Sequence, residues 1–320
     1  MQQLTSIVVG IDFTAGAAAA LREAIRIAAW NRSRLSVVHV IDTLVVMDLE
    51  AALSEFQISL REELIAQARG EWARFAAGIE GAASLELQIR INNRTVGIIG
   101  AARDAQADLL VVGAYGTHAP ETGIGSIAGG CVRHAPCDVL LVRDHQAGPF
   151  RSIVACVDFS PTSLSALDRA SRIAAQDGAS LHILHVFDAP WHQLNYRGGP
   201  PGTGPSYETA HRDAVLARLG NFSQSLGHEI TYLKPTICLH DHRGHRSGIV
   251  DYAAKVNADL IVMGTRGGTN VRDVLLGTTA EKTLRQSTCS VLAVKPGHPV
   301  PHLIEHEPEA RPNPQARPPE

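Results

Sequence analysis

Apolar residues along this chain follow two alternating patterns. Short β-branched runs without polar alternation, such as Ile7-Val8-Val9-Gly10-Ile11 and Leu109-Leu110-Val111-Val112, have the character of strands covered on both faces, as in a parallel sheet. Between the runs, apolar residues recur at helical spacing. Leu21, Ala24, Ile25 and Ala28 form one stripe, with Thr14 placed to cap it. Leu167, Ala170, Ile173 and Ala174 form another, opened by Ser160-Pro161 and closed by Gly178. That is a cap, a proline where its missing N–H costs nothing, and a glycine stop. Second helices are predicted at 47–75 and 206–226, and third strands at 85–91 and 229–237. Alternating strands and helices of this kind predict an α/β fold, doubly wound with right-handed crossovers.

The pattern occurs twice. Ile7-Val8-Val9-Gly10-Ile11-Asp12-Phe13-Thr14 returns as Ile153-Val154-Ala155-Cys156-Val157-Asp158-Phe159-Ser160, and Leu35-Ser36-Val37-Val38-His39-Val40-Ile41-Asp42 as Leu181-His182-Ile183-Leu184-His185-Val186-Phe187-Asp188. Ala107-Asp108-Leu109 through Gly113 matches Ala258-Asp259-Leu260 through Gly264, and Cys137 through Val142 matches Cys289 through Val294. Four blocks in one order mark a duplication. We expect two tandem domains of five strands each, residues 1–144 and 151–296. The connector between them, 145–150, is too short to give much freedom. The segment 297–320, rich in proline and charge, reads as a disordered tail.

Composition narrows the picture only slightly. A chain of 320 residues with 45% apolar content and a net charge of −3 suits a globular protein with no nucleic acid or membrane partner. The first residues lead directly into a strand and no apolar stretch approaches the ~18 residues of a spanning helix. Cys131, Cys137, Cys156, Cys238 and Cys289 are odd in number and lack metal-ligand spacing, as expected of reduced thiols in the cytoplasm.

The candidate chemistry lies after the fourth strand of the second copy. There the chain reads Gly264-Thr265-Arg266-Gly267, nine further residues, then Gly277-Thr278-Thr279 and a helical pattern. Glycines at these points permit a sharp turn and close backbone approach. The unpaired N–H groups opening the following helix, with the Thr278 hydroxyl beside them, suit an anion. Glycines can equally serve turns and packing, but their place between a parallel strand and a helix favours a phosphate cradle.

With this G-x2-G-x9-G-[ST] spacing, the first-strand aspartate and the dispersed strand blocks, the chain resembles the universal stress protein family in its tandem, two-domain form. The resemblance spans 4–143 and 151–295. It implies that each domain is a five-stranded parallel sheet of order 3-2-1-4-5 flanked by helices, and that the ligand is ATP, with or without Mg. By the resemblance Asp158 would contact adenine or ribose, and Val186 would lie beside the adenine. Gly264, Gly267, Gly277 and Thr278 would wrap ribose and phosphates, helped by the Thr279 backbone. Read from its residues alone, Asp158 fits a helix cap or local turn equally well. The resemblance further implies that the two fifth strands pair across a pseudo-twofold axis, making the chain an internal dimer; further homodimerisation is left open.

The first copy keeps Asp12, Val40, Gly113, Gly116, Gly125 and Ser126 in the matching places, but its loop is one residue short and contains Pro120 and Glu121. Gly129-Gly130 would weaken its helix start. Weaker or absent nucleotide binding is expected there. Among the remaining signals, the histidine-rich run from His240 to His245 reads as a solvated loop before it reads as a metal site. His39 and His185 read as satisfied, partly buried histidines. The segment 189–207 is either a lid or an ordinary variable loop. No G-x-x-x-x-G-K-[ST] loop, serine elbow or H-E-x-x-H stands in the chain, and no catalytic residue is identified. The expected function is therefore ATP binding in a stress response, acting through an unidentified protein partner, with at most slow hydrolysis. The rivals are a nucleotide-independent interaction scaffold and an adenylate-forming enzyme.

Overall fold

A computed structural model describes residues 4–52, 59–116, 123–146, 148–187, 205–227, 230, 232–241, 245–266 and 276–297. Pro120, Glu121, Gly267, most of the 189–207 segment and the tail beyond 297 therefore lie outside the described residues. The first half runs β1 (Ser6–Ile11), α1 (Ala15–Asn31), β2 (Arg34–Asp42), α2 (Thr43–Ala52), α3 (Leu60–Ala77), β3 (Leu87–Asn92), α4 (Arg94–Asp104), β4 (Leu109–Gly113), α5 (Ser126–His134) and β5 (Asp138–Val142). The second runs β6 (Ser152–Cys156), α6 (Pro161–Asp177), β7 (Ser180–Phe187), α7 (Pro205–Gln224), β8 (Thr236–Asp241), α8 (His245–Lys255), β9 (Leu260–Gly264), α9 (Thr278–Gln286) and β10 (Ser290–Val294).

The strands form one ten-stranded sheet of order β3-β2-β1-β4-β5-β10-β9-β6-β7-β8. Within each half every pairing is parallel, in the order 3-2-1-4-5. Helices α1, α3, α6 and α7 bury their apolar faces on one side, and α4, α5, α8 and α9 on the other. Each apolar layer runs unbroken through both halves. Thr14 and Ser160 cap α1 and α6 as their sequence predicts, and Gly178 closes α6 at φ 66°. The repeated Ala-Asp before each fourth strand also has a local purpose. Asp108 accepts from the Thr5 and Ser6 amides at 2.7 and 3.1 Å, and Asp259 from those of Arg151 and Ser152 at the same two distances. The start of the first strand in each half is thereby tied to its neighbour.

The halves meet where β5 and β10 pair antiparallel, with Leu140 opposite Leu292 on the pseudo-twofold axis. Each half also reaches across with a cation. Arg143, buried, donates to the carbonyls of Ser287 and Cys289 at the end of α9. Lys295 Nζ donates to the carbonyls of Val132 at 2.5 Å and Arg133 at 3.2 Å at the end of α5. Cations at these positions satisfy orphan carbonyls and oppose the negative end of the helix dipole. Arg169 pairs with the buried Asp138 at 3.2 Å, and Arg26 pairs with Asp177. These pairs do not repeat under the pseudo-symmetry. The first-half counterpart of Arg169 is Glu23, and the second-half counterpart of Asp138 is Ser290.

Three sequence expectations are corrected. The single helix expected at 47–75 is α2 and α3: Asp42 Oδ1 accepts from the Leu44 amide at 3.0 Å and starts α2 directly at the end of β2, and Ser59, at φ −74° and ψ 71°, stands outside the helix before α3. The third strand of the second half begins at Thr236, well after the 229 expected. Ile230 is spent in the core, Lys234 turns the chain at φ 46°, and Pro235 has no N–H to give a ladder. Consequently His240 and Asp241 belong to β8 and not to a loop, while 242–244 lie outside the described residues. Finally, Gly129-Gly130 does not spoil α5. A Cβ at Gly130 would stand 2.7 Å from Thr95 Cγ2, so glycine lets α4 and α5 pack closely.

The seam makes a testable demand. Arg169→Ala strands the Asp138 carboxylate in a buried site and should lower stability by about 3 kcal/mol, seen as a lower urea midpoint. Adding Asp138→Asn removes the stranded charge and should recover part of that loss.

Candidate functional site

In each half α1 or α6 leaves its first strand to one side of the sheet, while the helix after the fourth strand crosses on the other. A crevice must open between them at the strand carboxyl ends. In the second half it is a cavity of about 410 Å³ lined by Asp158, Val186, Gly264, Gly277, Thr278 and Thr279, with Val157, Met263, Ile249 and Arg266. The fold thus brings together six of the seven residues expected there; Gly267 lies outside the described residues. The first half has a cavity of about 750 Å³ lined by Asp12, Val40, Gly113, Gly116, Gly125 and Ser126. All six candidates of that copy converge.

The aspartates make the local turn that their residues alone allowed. Asp158 Oδ1 accepts from the Ser160 amide at 3.0 Å and hydroxyl at 2.5 Å, forming the turn into α6. Asp12 Oδ1 does the same with Thr14 at 3.1 and 2.5 Å. In the first half Oδ2 stays open to the cavity, 2.8 Å from where a Cβ on Gly116 would stand. The residue after each aspartate was not anticipated. Phe13 and Phe159 sit at φ 63° and 64°, a left-handed conformation rare for a bulky side chain. Each ring packs on a histidine at 4.6 Å, His39 or His185, and edge-on to a second phenylalanine at 5.6 Å, Phe75 or Phe222. The histidines in turn bond the last carbonyl of the strand turn, His39 Nδ1 to Ile11 O at 3.0 Å and His185 Nδ1 to Val157 O at 2.7 Å. Strained backbone held by surrounding contacts is a mark of functional turns. The Asp-Phe pair common to both copies was the available sequence clue.

The glycines divide by task. Gly264 is needed for packing, since a Cβ there would lie 2.9 Å from Thr162 Cγ2, and Gly113 meets the Gly16 backbone in the same way. Gly277 is less constrained. Its φ of −58° suits any residue, and the nearest described atom to its missing Cβ is the Thr265 carbonyl oxygen at 3.3 Å, a close contact that a methyl would have to push back slightly. It lines the cavity. Gly277 and Gly125 are the residues before α9 and α5, and neither, lacking a side chain, caps its helix. The first-turn amides therefore present donors and the positive end of a dipole to the cavity, an arrangement suited to an anion.

Nucleophilic chemistry finds less to work with. Cys156 lines the second cavity, but burial raises its pKa and keeps it a thiol at neutral pH. Burial also pushes Cys131 and Cys137 up to about 12. Among the described residues, no group of three His, Cys, Asp or Glu side chains is placed to hold a metal ion. No described helix is long and apolar enough to cross a membrane.

A doubled, doubly wound α/β sheet with a glycine-lined crevice at the strand carboxyl ends of each half defines the class of fold. The family comparison sharpens this, because the universal stress protein model matches residues 4–143 and 149–295; the chain belongs to that family. Among its relatives is the universal stress protein A homolog 1 of Coxiella burnetii, 34% identical over 154 residues, which span 45% of this chain and 96% of that protein. A universal stress protein of Mycolicibacterium smegmatis is 26% identical over 302 residues, 91% of this chain and 97% of the relative. The fold is shared with a solved universal stress protein from Archaeoglobus fulgidus, at TM-score 0.60, 19% identity, and coverage of 92% of this chain and all of that one.

The half-buried histidine under the first aspartate turn gives a pH prediction. Burial lowers the pKa of His39 below its ordinary 6.5, so the unfolded chain takes up a proton there before the folded chain does. Stability from this group is present above pH 6.5 and lost as pH falls through the window below it. In urea melts across pH 7.5 to 5, His39→Gln should lose stability less steeply than wild type.

Proposed function

We propose that this chain is an ATP-binding stress-response protein, with the nucleotide held in the second of its two domains, residues 151–296. The observation that carries the reading is Gly277: a glycine whose φ does not require it, at the start of α9, lining the same cavity as Asp158. The match of Gly264, Gly267, Gly277 and Thr278 to the family's ATP-binding pattern supports the same ligand. In this reading the Thr278 and Thr279 amides and the Thr278 hydroxyl take the phosphates, Asp158 the ribose hydroxyls, and Val186 one face of the adenine. Arg266 adds a cation to the wall. Each charge-assisted hydrogen bond contributes about 1.5–3 kcal/mol, so three or four reach the ~8 kcal/mol behind micromolar affinity. Mg would ride with the phosphates.

Hydrolysis is at most slow in this reading. Asp158 Oδ1 is engaged by Ser160 and its second oxygen, in this reading, by the ribose hydroxyls, while His185 Nδ1 is tied to the Val157 carbonyl, so neither is assigned to activating a water at the phosphates. The output is a change of surface for a protein partner when the nucleotide is bound. The adenylate-forming enzyme and the nucleotide-independent scaffold remain the competing outcomes of the test.

Calorimetry of the full chain should show ATP binding at micromolar affinity. Gly277→Ala, compatible with the backbone, should keep it within a few-fold. Gly277→Asp places a carboxylate near the phosphates, where a like charge at ~4 Å costs about 4 kcal/mol at an effective dielectric near 20; affinity should fall at least ~30-fold. No heat with ATP in the wild type refutes the reading in favour of a scaffold, and an adenylated product after long incubation refutes it in favour of the enzyme.

A further inference from the structure

The cavity in the first half keeps the aspartate, the buried valine and the glycine-capped helix of its counterpart, yet its charge is different. Among the described residues, three carboxylates line it, Asp12, Asp42 and Glu71, against one cation, Arg94. Arg94 Nε lies 3.5 Å from Asp42 Oδ2, so that cation is already matched. Glu71 meets Arg74, which stands outside the wall. Asp12 Oδ2 receives no hydrogen bond from any described residue and faces the loop at Gly116. In the second half the charged groups among the described lining residues are Asp158 and Arg266, and no described carboxylate pairs with Arg266. A phosphate chain entering the first cavity would thus meet the unmatched Asp12 with no unmatched cation among the described lining residues, Tyr115 standing where the second half has Arg266.

The walls indicate what would be welcome instead. Val40, Ile41, Val45, Leu64, Ile98 and Val112 give an apolar slot within the volume usual for small-molecule sites. An open carboxylate oxygen accepts hydroxyls or a cationic N–H. Gln67, from α3, adds an amide donor and acceptor, as the edge of a heterocycle requires. We propose that the first half binds an uncharged or cationic nucleoside-like molecule, an aromatic heterocycle bearing hydroxyls and no phosphate chain. This cavity is separate from the one argued to hold ATP, and its ligand goes beyond that reading and does not depend on it.

The test uses the full chain carrying Gly277→Asp, which closes the second cavity to anions and leaves the first untouched. Adenosine is the probe and ATP the comparison, both by calorimetry. Adenosine should bind at a site whose affinity depends on Asp12, and ATP at that site at least tenfold more weakly. Asp12→Asn, whose side-chain oxygen can still accept from Thr14, should weaken adenosine about tenfold. Glu71→Lys changes a side chain that is 44% exposed and should move the ATP-to-adenosine preference at least fivefold toward ATP, a shift that a merely structural role would not produce. Absence of adenosine binding, ATP binding as tight as adenosine, indifference to Asp12→Asn, or a preference unmoved by Glu71→Lys each overturns the proposal. ATP titration of the wild type reports on the other cavity, so failure of one reading is distinguishable from failure of the other.

Discussion

A parallel sheet of five strands leaves a row of backbone donors and acceptors open at each edge, and an uncovered edge invites wrong partners. Here the fifth strand of each half closes the other's edge, and that antiparallel pairing holds the rest of the molecule in place. The apolar layers on both faces continue across it. More importantly, the seam anchors the two helices whose far ends face the cavities. Arg143 holds the carboxyl end of α9 and Lys295 that of α5. Both helices are only nine residues long, so fixing one end fixes the direction of the other. The amides that face each cavity are positioned by a residue from the opposite half.

The other wall of each cavity is set by strain. Left-handed backbone at a phenylalanine costs of order 1–3 kcal/mol. Aromatic contacts of about 0.5–1.5 kcal/mol each, together with the histidine bond to the strand-end carbonyl, offset it. The turn that results points the preceding aspartate outward and buries the ring beneath it. Both halves keep this assembly although their cavities differ in charge, which separates the scaffold of the site from its selectivity.

Much of this was legible in the sequence, because the relevant physics is local or repeated. Strands covered on both faces, the caps Thr14 and Ser160, and the glycine spacing all announce themselves within a few residues. The duplication gave a second copy against which each could be checked. What escaped was decided at a distance. Pro235 and the burial of Ile230 moved the start of β8, which no local pattern around 229 reveals. Gly130 looked like a weak helix start, when the deciding fact is Thr95 on another helix. The left-handed turn at Phe13 depends on His39 and Phe75 being brought beneath it by the fold. The pairings that cancel charge in the first cavity, Arg94 with Asp42 and Arg74 with Glu71, rest on Glu71 and Arg94, which lie some sixty and eighty residues past Asp12 and belong to no motif.

The charges along the seam have a consequence for how such a chain can evolve. Because Glu23 occupies the place of Arg169, two first halves joined together would set Glu23 against Asp138, carboxylate on buried carboxylate. Two second halves would set Arg169 against Ser290, leaving its guanidinium with Asp168 of its own helix and no carboxylate across the seam. Removing charge compensation from a buried pair costs several kcal/mol, and the first hybrid would incur it twice. The duplicated segments are no longer interchangeable parts: recombination between them, which their shared sequence blocks would otherwise encourage, yields products that close poorly, and the present order of the two halves is maintained by electrostatics as well as by descent.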